Sequence, residues 1–123
     1  MRRILLILSI AVIALIVVPW GDFQGHTHWS KVGWIPFVSP PVRLRDMVAN
    51  LLLFAPFGAA IALNVSRSRR IVLAAVSAAI LSLVCETLQL YSHARFPSAT
   101  DLVMNTAGAA LAASLVSRRD RRP

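Results

Sequence analysis

Long unbroken blocks of apolar residues are the feature that most constrains how this chain can fold. Hydrophobic residues make up 57% of its 123 residues and charged residues 15%, and the two kinds are segregated along the chain. One domain of this length could not bury so many apolar side chains away from water. Lipid must therefore be the solvent, and we predict an all-α membrane protein in which residues 1–123 form one transmembrane domain.

Four apolar blocks predict four transmembrane helices. They cover about residues 4–20, 47–63, 71–91 and 102–116. The first block has the basic start of a signal peptide, but the sequence after it offers no small-x-small cleavage site, so we expect an uncleaved helix. The fourth block carries Gly108, Ala109, Ala112 and Ala113, and small residues of this kind favour close packing and a central place in the bundle.

The connection between the first two blocks is rich in proline and tryptophan. Pro36, Pro40 and Pro41 argue against a long helix there. Trp29 and Trp34 suit the headgroup region of a membrane, where an amphipathic ring can stay half wet. We therefore expect an interfacial loop.

The basic residues predict the orientation of the chain. They fall in separate clusters between the apolar blocks, so the net charge of +8 does not indicate nucleic-acid binding. By the positive-inside rule, the side with more basic residues faces the cytoplasm, which puts both termini and the 64–70 turn inside. Nine basic residues lie on that side and four on the other: Arg2, Arg3, Arg67, Arg69, Arg70, Arg118, Arg119, Arg121 and Arg122 against Lys31, Arg43, Arg45 and Arg95.

A short polar pattern occurs twice. Asp46-x-x-x-Asn50 opens the second block and Asp101-x-x-x-Asn105 opens the fourth, and each is followed by a Gly-Ala-Ala sequence. Residues four apart lie about 40° from each other on one helix face. Because both copies enter from the outer side, the chain is predicted to form two helical hairpins related by a pseudo-twofold axis along the membrane normal.

The polar residues of the third helix are predicted to lie at the same depth in the membrane as the two Asp-x-x-x-Asn copies. Ser82, Glu86, Gln89 and His93 form one stripe on the third helix, with Glu86 five residues before its outer end. Ionisable groups in lipid are costly unless they face one another inside the bundle. We therefore predict an outer-leaflet polar site in which Arg45 or Arg95 neutralises Glu86 or Asp101. Its candidate ligand-binding residues are Glu86, Gln89, Arg95, Asp101, Asn105, Asp46 and Asn50.

Each of these residues also has a purely structural interpretation. Asp46 and Asp101 can cap helix N-termini, and the two asparagines can join helices by hydrogen bonds. Cys85 reads as a small buried hydrophobe. The histidines at positions 26, 28 and 93 can bind metal, but their spacing does not match a known site, so we expect neither a metal nor a cofactor. A carboxylate at the depth of Glu86 is the residue that most favours a functional role.

The motifs, taken together, resemble those of the VanZ-like proteins. The matching residues are Asn50-Leu-Leu-Leu-Phe54-Ala-Pro56-Phe-Gly58, then Glu86-Thr-Leu-Gln89, then Arg95, then Asp101-x-x-x-Asn105-x-x-Gly108-Ala109. The similarity extends from about residue 35 to 113. It implies a small multi-helix membrane protein of a family whose namesake is associated with resistance to the glycopeptide teicoplanin.

Three classes of function are compatible with such a site. The one we favour is binding of an amphiphilic or lipid-linked cell-envelope ligand, with the polar site holding the headgroup and the helices accepting the tail. The second is an intramembrane enzyme acting on a lipid-linked substrate, although the chain has none of the usual nucleophile or metal motifs. The third is a small proton-coupled transporter with Glu86 as the carrier. The expected partners are the bilayer and this ligand, and the oligomeric state stays open.

Overall fold

The computed structural model describes residues 1–38 and 43–120, and this part of the chain is helical. It contains the helices α1 (Arg2–Val17), α2 (Leu44–Asn64), α3 (Arg70–Gln89) and α4 (Ala99–Arg119), with short 3-10 turns at Trp29–Lys31 and Arg67–Arg69. The described residues form no β-strand, only two isolated bridges between loops. The all-helical prediction is confirmed.

The first helix is shorter than predicted. It ends at Val17 because Pro19 disfavours the helical conformation at Val18, which is extended with φ −72° and ψ 132°. At 1.5 Å per residue its 16 residues span about 24 Å. Within the described residues, three helical segments are long and apolar enough to cross a membrane, namely Leu44–Asn64, Arg67–Gln89 and Ala99–Arg119. That α1 is a fourth span stays a prediction.

The helices run alternately up and down the bundle. At one end, Arg2 donates to the carbonyl oxygen of Leu63 (3.1 Å), and the Asn64 amide donates to the carbonyl of Arg2 (3.2 Å). Arg70 forms an ion pair with Asp120 at the same end. We call this the arginine end. The opposite end, where α2 and α4 both begin, is the aspartate end, since it carries both copies of the Asp-x-x-x-Asn pattern.

Two glycines let α2 and α4 touch through their backbones. A Cβ atom at Gly58 would overlap the backbone of Ala109, and one at Gly108 would overlap the carbonyl oxygen of Leu51. The small residues of α4 pack here as predicted, with Ala109 and Ala113 fully buried. α4 also packs along α3, but α2 is the helix that packs against α1, α3 and α4, so the most central of the described helices is α2 rather than α4 as predicted.

The loop after α1 packs against the turn between α3 and α4. Gly33 donates its N–H to the carbonyl of Pro97 and accepts from the N–H of Ala99, both at 2.9 Å. Nearer the start of the loop, Phe23 pairs with Ser92. As the prolines predicted, the described part of this loop holds no long helix, while Pro40 and Pro41 lie outside the described residues. These contacts position the loop beside the aspartate end.

Candidate functional site

A cavity of about 610 Å³ lies at the aspartate end, where the ends of all four helices meet. Its apolar part includes Val17 of α1 and Leu53 of α2. Five of the seven predicted site residues line it: Asp46, Asn50, Gln89, Arg95 and Asp101. The structure therefore brings together polar residues from α2, α4, the end of α3 and the turn that follows it.

Both signs of charge meet in this cavity. Arg43, Arg45 and Arg95 line it together with the carboxylates of Asp46 and Asp101, which leaves one positive charge in excess. Asp101 lies within electrostatic range of both Asp46 and Arg95, and the Asn50 amide faces its carboxylate. The cavity therefore presents guanidinium donors that outnumber its carboxylates, and these donors can hold a polar, anionic group.

The arginines are only loosely held. Arg45 contacts Asp46 with Nε 3.4 Å from Oδ1, but both side chains are more than half exposed, so this pair contributes little stability. Among residues 1–38 and 43–120, the other ion pair is the one at the arginine end. Arg95 is exposed and forms an ion pair with neither Glu86 nor Asp101 in this part of the chain, although it lies in the electrostatic field of both.

Glu86 lies beside the cavity rather than in its lining. Its side chain is buried, and Oε2 accepts a hydrogen bond from the N–H of Ser98 at 2.7 Å. It faces a smaller cavity of about 260 Å³, which is lined by the indoles of Trp29 and Trp34 among others. Because α3 ends at Gln89 rather than Tyr91, Glu86 is three residues, or about 4.5 Å, from the end of the helix. It is shallower than predicted.

Two of the predicted amides join helices. The Gln89 side chain donates to the carbonyl of Val17 (3.2 Å), which ties the end of α3 to the end of α1 at the cavity. Asn105 donates to the hydroxyl of Ser82 (2.8 Å), and both residues are fully buried. Asn105 does not line the cavity, and its Oδ1 has no hydrogen-bond partner within the described residues. The interhelical interpretation is confirmed for Asn105.

The capping interpretation is wrong for both aspartates. The N-cap of α4 is Ser98, whose hydroxyl accepts from the N–H of Thr100, and Arg43 occupies the N-cap position of α2 without a side-chain bond. Asp46 and Asp101 lie in the first turn of their helices. The helix dipole still favours a negative charge there, but the carboxylates are left available to the cavity.

We predict that Glu86 holds the start of α4 in place. Glu86→Leu leaves the half-buried N–H of Ser98 without this acceptor and should lower the free energy of unfolding by about 1–3 kcal/mol. Glu86→Gln keeps a carbonyl oxygen that can accept the same hydrogen bond, so it should retain most of the stability. Equilibrium unfolding of the purified variants in detergent measures both. Equal losses for the two variants would contradict this role.

Asp22 joins the loop after α1 to the turn after α3, a contact that no sequence pattern indicated. Its carboxylate accepts from the Ser92 hydroxyl (2.6 Å) and from the N–H groups of His93 (3.0 Å) and Ala94 (2.9 Å). These hydrogen bonds, the one from Ser92 first, lower the pKa of Asp22 from 3.8 to about 2. The group is therefore ionised at neutral pH, and the contact with the turn is maintained.

This contact brings three histidines together. The prediction that His93 lies on the polar stripe of α3 is wrong, because the helix ends four residues before it. It lies instead beside the loop, where its ring centroid is 5.5 Å from that of His26 and 4.5 Å from that of His28. The rings of His26 and His28 are 4.7 Å apart. The spacing of the histidines in the sequence did not indicate that the three rings would lie this close together.

The fold and the cavity define a class: a small helical membrane protein with a charged cavity at one end of its bundle. Comparison with protein families is more specific, since the VanZ/LLP1 family model matches residues 4–119. The chain belongs to the VanZ/LLP1 family, as its motifs predicted. Neither a curated protein nor a solved structure gives a significant match.

Proposed function

We propose that the cavity at the aspartate end binds the headgroup of an amphiphilic or lipid-linked ligand of the cell envelope. The observation that carries the proposal is the lining itself, in which three arginines and two aspartates stand next to apolar side chains of α1 and α2. Ile16 lines the cavity and is half exposed on the outer surface of α1. An acyl or polyprenyl tail can therefore lie along the helices while its headgroup occupies the cavity.

The positive-inside rule supports an outward-facing cavity. The arginine end carries Arg2, Arg70 and the basic end of α4, and we propose that it faces the cytoplasm, so that both termini lie inside. The aspartate end then opens to the outer leaflet of the cell membrane. This is the leaflet in which a lipid-linked wall precursor or an acylated glycopeptide would be met.

In the cell, this binding would contribute to glycopeptide resistance, a part of the proposal that rests on family membership. Cells that produce the protein should tolerate more teicoplanin than cells without it, and Arg95→Gln or Asp101→Asn should reduce that protection at least fourfold. Both side chains line the cavity, and in Asp101→Asn the new amide keeps an oxygen that can accept from Asn50. Growth inhibition across a teicoplanin series measures the effect, with membrane levels compared by immunoblot.

Arg119→Gln is the matched control, because it removes the same charge from the arginine end of α4. It should leave protection unchanged. Full protection by Arg95→Gln at an equal membrane level would contradict a role of the cavity in resistance. If the parent chain gave no protection, the proposed contribution to resistance would be wrong.

One observation also favours an enzyme. Asp46, Asp101 and Arg95 line the same cavity, and two carboxylates beside an arginine can supply acid, base and charge stabilisation. Incubation of the purified protein with a radiolabelled lipid-linked precursor tests this second candidate. Absence of any product, with binding retained, would restrict the function to binding.

A further inference from the structure

We propose that His26, His28 and His93 form a binding site for a divalent transition-metal ion, with Zn²⁺ as the best match. Each histidine offers one ring nitrogen, and these three nitrogens lie within 4.8 Å of one another. Two of the residues come from the loop after α1 and one from the turn after α3. The site is separate from the proposed headgroup site and does not depend on it.

The geometry is close to that of a metal centre. Zn–N bonds of about 2.0–2.1 Å in a tetrahedral arrangement place ligand nitrogens roughly 3.3 Å apart. The rings therefore need to approach by at most about 1.5 Å. His26 and His93 are exposed, so their side chains have room to make this rotation.

The ring of His28 is held by a backbone carbonyl. Its Nδ1 lies 3.1 Å from the carbonyl oxygen of Leu90, and its backbone N–H donates to the same oxygen at 2.9 Å. With Nδ1–H donating to this carbonyl, Nε2 is left with its lone pair for a metal. A hydrogen bond of this type commonly fixes the tautomer and the ring direction of metal-binding histidines.

The backbone around the cluster is held independently of any ion. Asp22 binds the hydroxyl of Ser92 and the N–H of His93, and Gln24 donates its N–H to the carbonyl of Tyr91 at 2.7 Å. The two chain segments that supply the histidines are thus fastened to each other next to the ligand set. A preorganised set costs less conformational entropy on binding than one assembled from free loops.

The donor set points to the kind of ion. Three imidazoles without a thiolate or carboxylate suit Zn²⁺, Cu²⁺ or Ni²⁺ and not Mg²⁺ or Ca²⁺, which prefer oxygen ligands. Three protein ligands leave a fourth position for water or for an anionic group of a ligand. His93 is followed directly by Ala94 and Arg95, which line the large cavity, so the ion would lie beside it.

The test is metal binding by the purified chain, which is isolated with an affinity tag that contains no histidine. The chain has three histidines and all of them are in the cluster, so any imidazole-bound metal must be bound there. After stripping with a chelator and reloading, we expect one Zn²⁺ per chain by elemental analysis. His26→Ala, His28→Ala and His93→Ala should each weaken Zn²⁺ binding at least tenfold in competition with a chromophoric chelator.

Thr27→Ala is the matched control, because Thr27 lies between two of the ligands, is exposed and offers no nitrogen. It should bind Zn²⁺ as the parent does. Co²⁺ gives a second readout, since it should produce a visible absorption band in the parent that is absent from His93→Ala. Circular dichroism would check that the variants at the exposed residues His26, Thr27 and His93 stay folded. The proposal would be overturned if the parent held no stoichiometric metal, or if His93→Ala bound Zn²⁺ with unchanged affinity. It would also be overturned if Asp101→Asn lost the ion and the histidine variants kept it.

Discussion

Gly108→Ala is expected to lower the free energy of unfolding by about 3 kcal/mol, the upper part of the range for overpacking a tightly packed interior. The added Cβ would overlap the carbonyl oxygen of Leu51, a backbone atom that cannot rotate away. α2 and α4 would have to separate, and α4 is the helix that also packs against α3. Reversible unfolding in mixed detergent micelles measures the loss.

The chain provides a matched control for this substitution. A Cβ at Gly25 would have no neighbour within 4 Å, and the backbone there is not in the left-handed region, so Gly25→Ala should leave the stability unchanged. Gly58→Ala, which meets the backbone of Ala109, should behave like Gly108→Ala. Since both glycines serve one contact, the double variant should lose less than the sum of the single losses. Parent-like stability of Gly108→Ala would show that the two helices are not in backbone contact.

Much of this fold could be predicted from the sequence because a membrane solvent leaves few choices. Apolar blocks of this length must form helices, and the predicted spans match α2, α3 and α4 to within a few residues. The ends were less predictable, since hydropathy does not show where a helix stops. Because of Pro19, α1 ends at Val17, before the end of the predicted span at residue 20. α3 ends at Gln89, so His93 does not lie on its polar stripe.

The candidate site shows the same division. The alternating helix directions were sufficient to place Asp46, Asn50, Gln89, Arg95 and Asp101 around one cavity. The partners of Glu86 and Asn105 depend on helix rotation and on the turn at Ser98, which no periodicity reveals. The contacts of Asp22 with Ser92, and of His26 and His28 with His93, join residues 65 to 70 positions apart, so spacing in the sequence could not show them.

Arg95→Gln is expected to weaken the binding of an anionic lipid at least tenfold. Its guanidinium lies at the cavity without a direct ion-pair partner within the described residues, so its donors are available to a phosphate or pyrophosphate. Loss of one hydrogen bond between charged groups costs about 1.5–3 kcal/mol, and each 1.4 kcal/mol is a factor of about ten in affinity. Glutamine keeps a polar side chain at the position while it removes the charge.

The most direct measurement of the central claim is equilibrium binding of a polyprenyl pyrophosphate to the purified protein in lipid nanodiscs, with the corresponding polyprenol as the uncharged comparison. We expect the parent and Arg119→Gln to bind the pyrophosphate with the same affinity and Arg95→Gln to bind it at least tenfold more weakly. The parent and Arg119→Gln should both bind the polyprenol more weakly than the pyrophosphate. Equal binding of the charged and uncharged lipids, or an unchanged affinity in Arg95→Gln, would contradict a headgroup site in the cavity at the aspartate end.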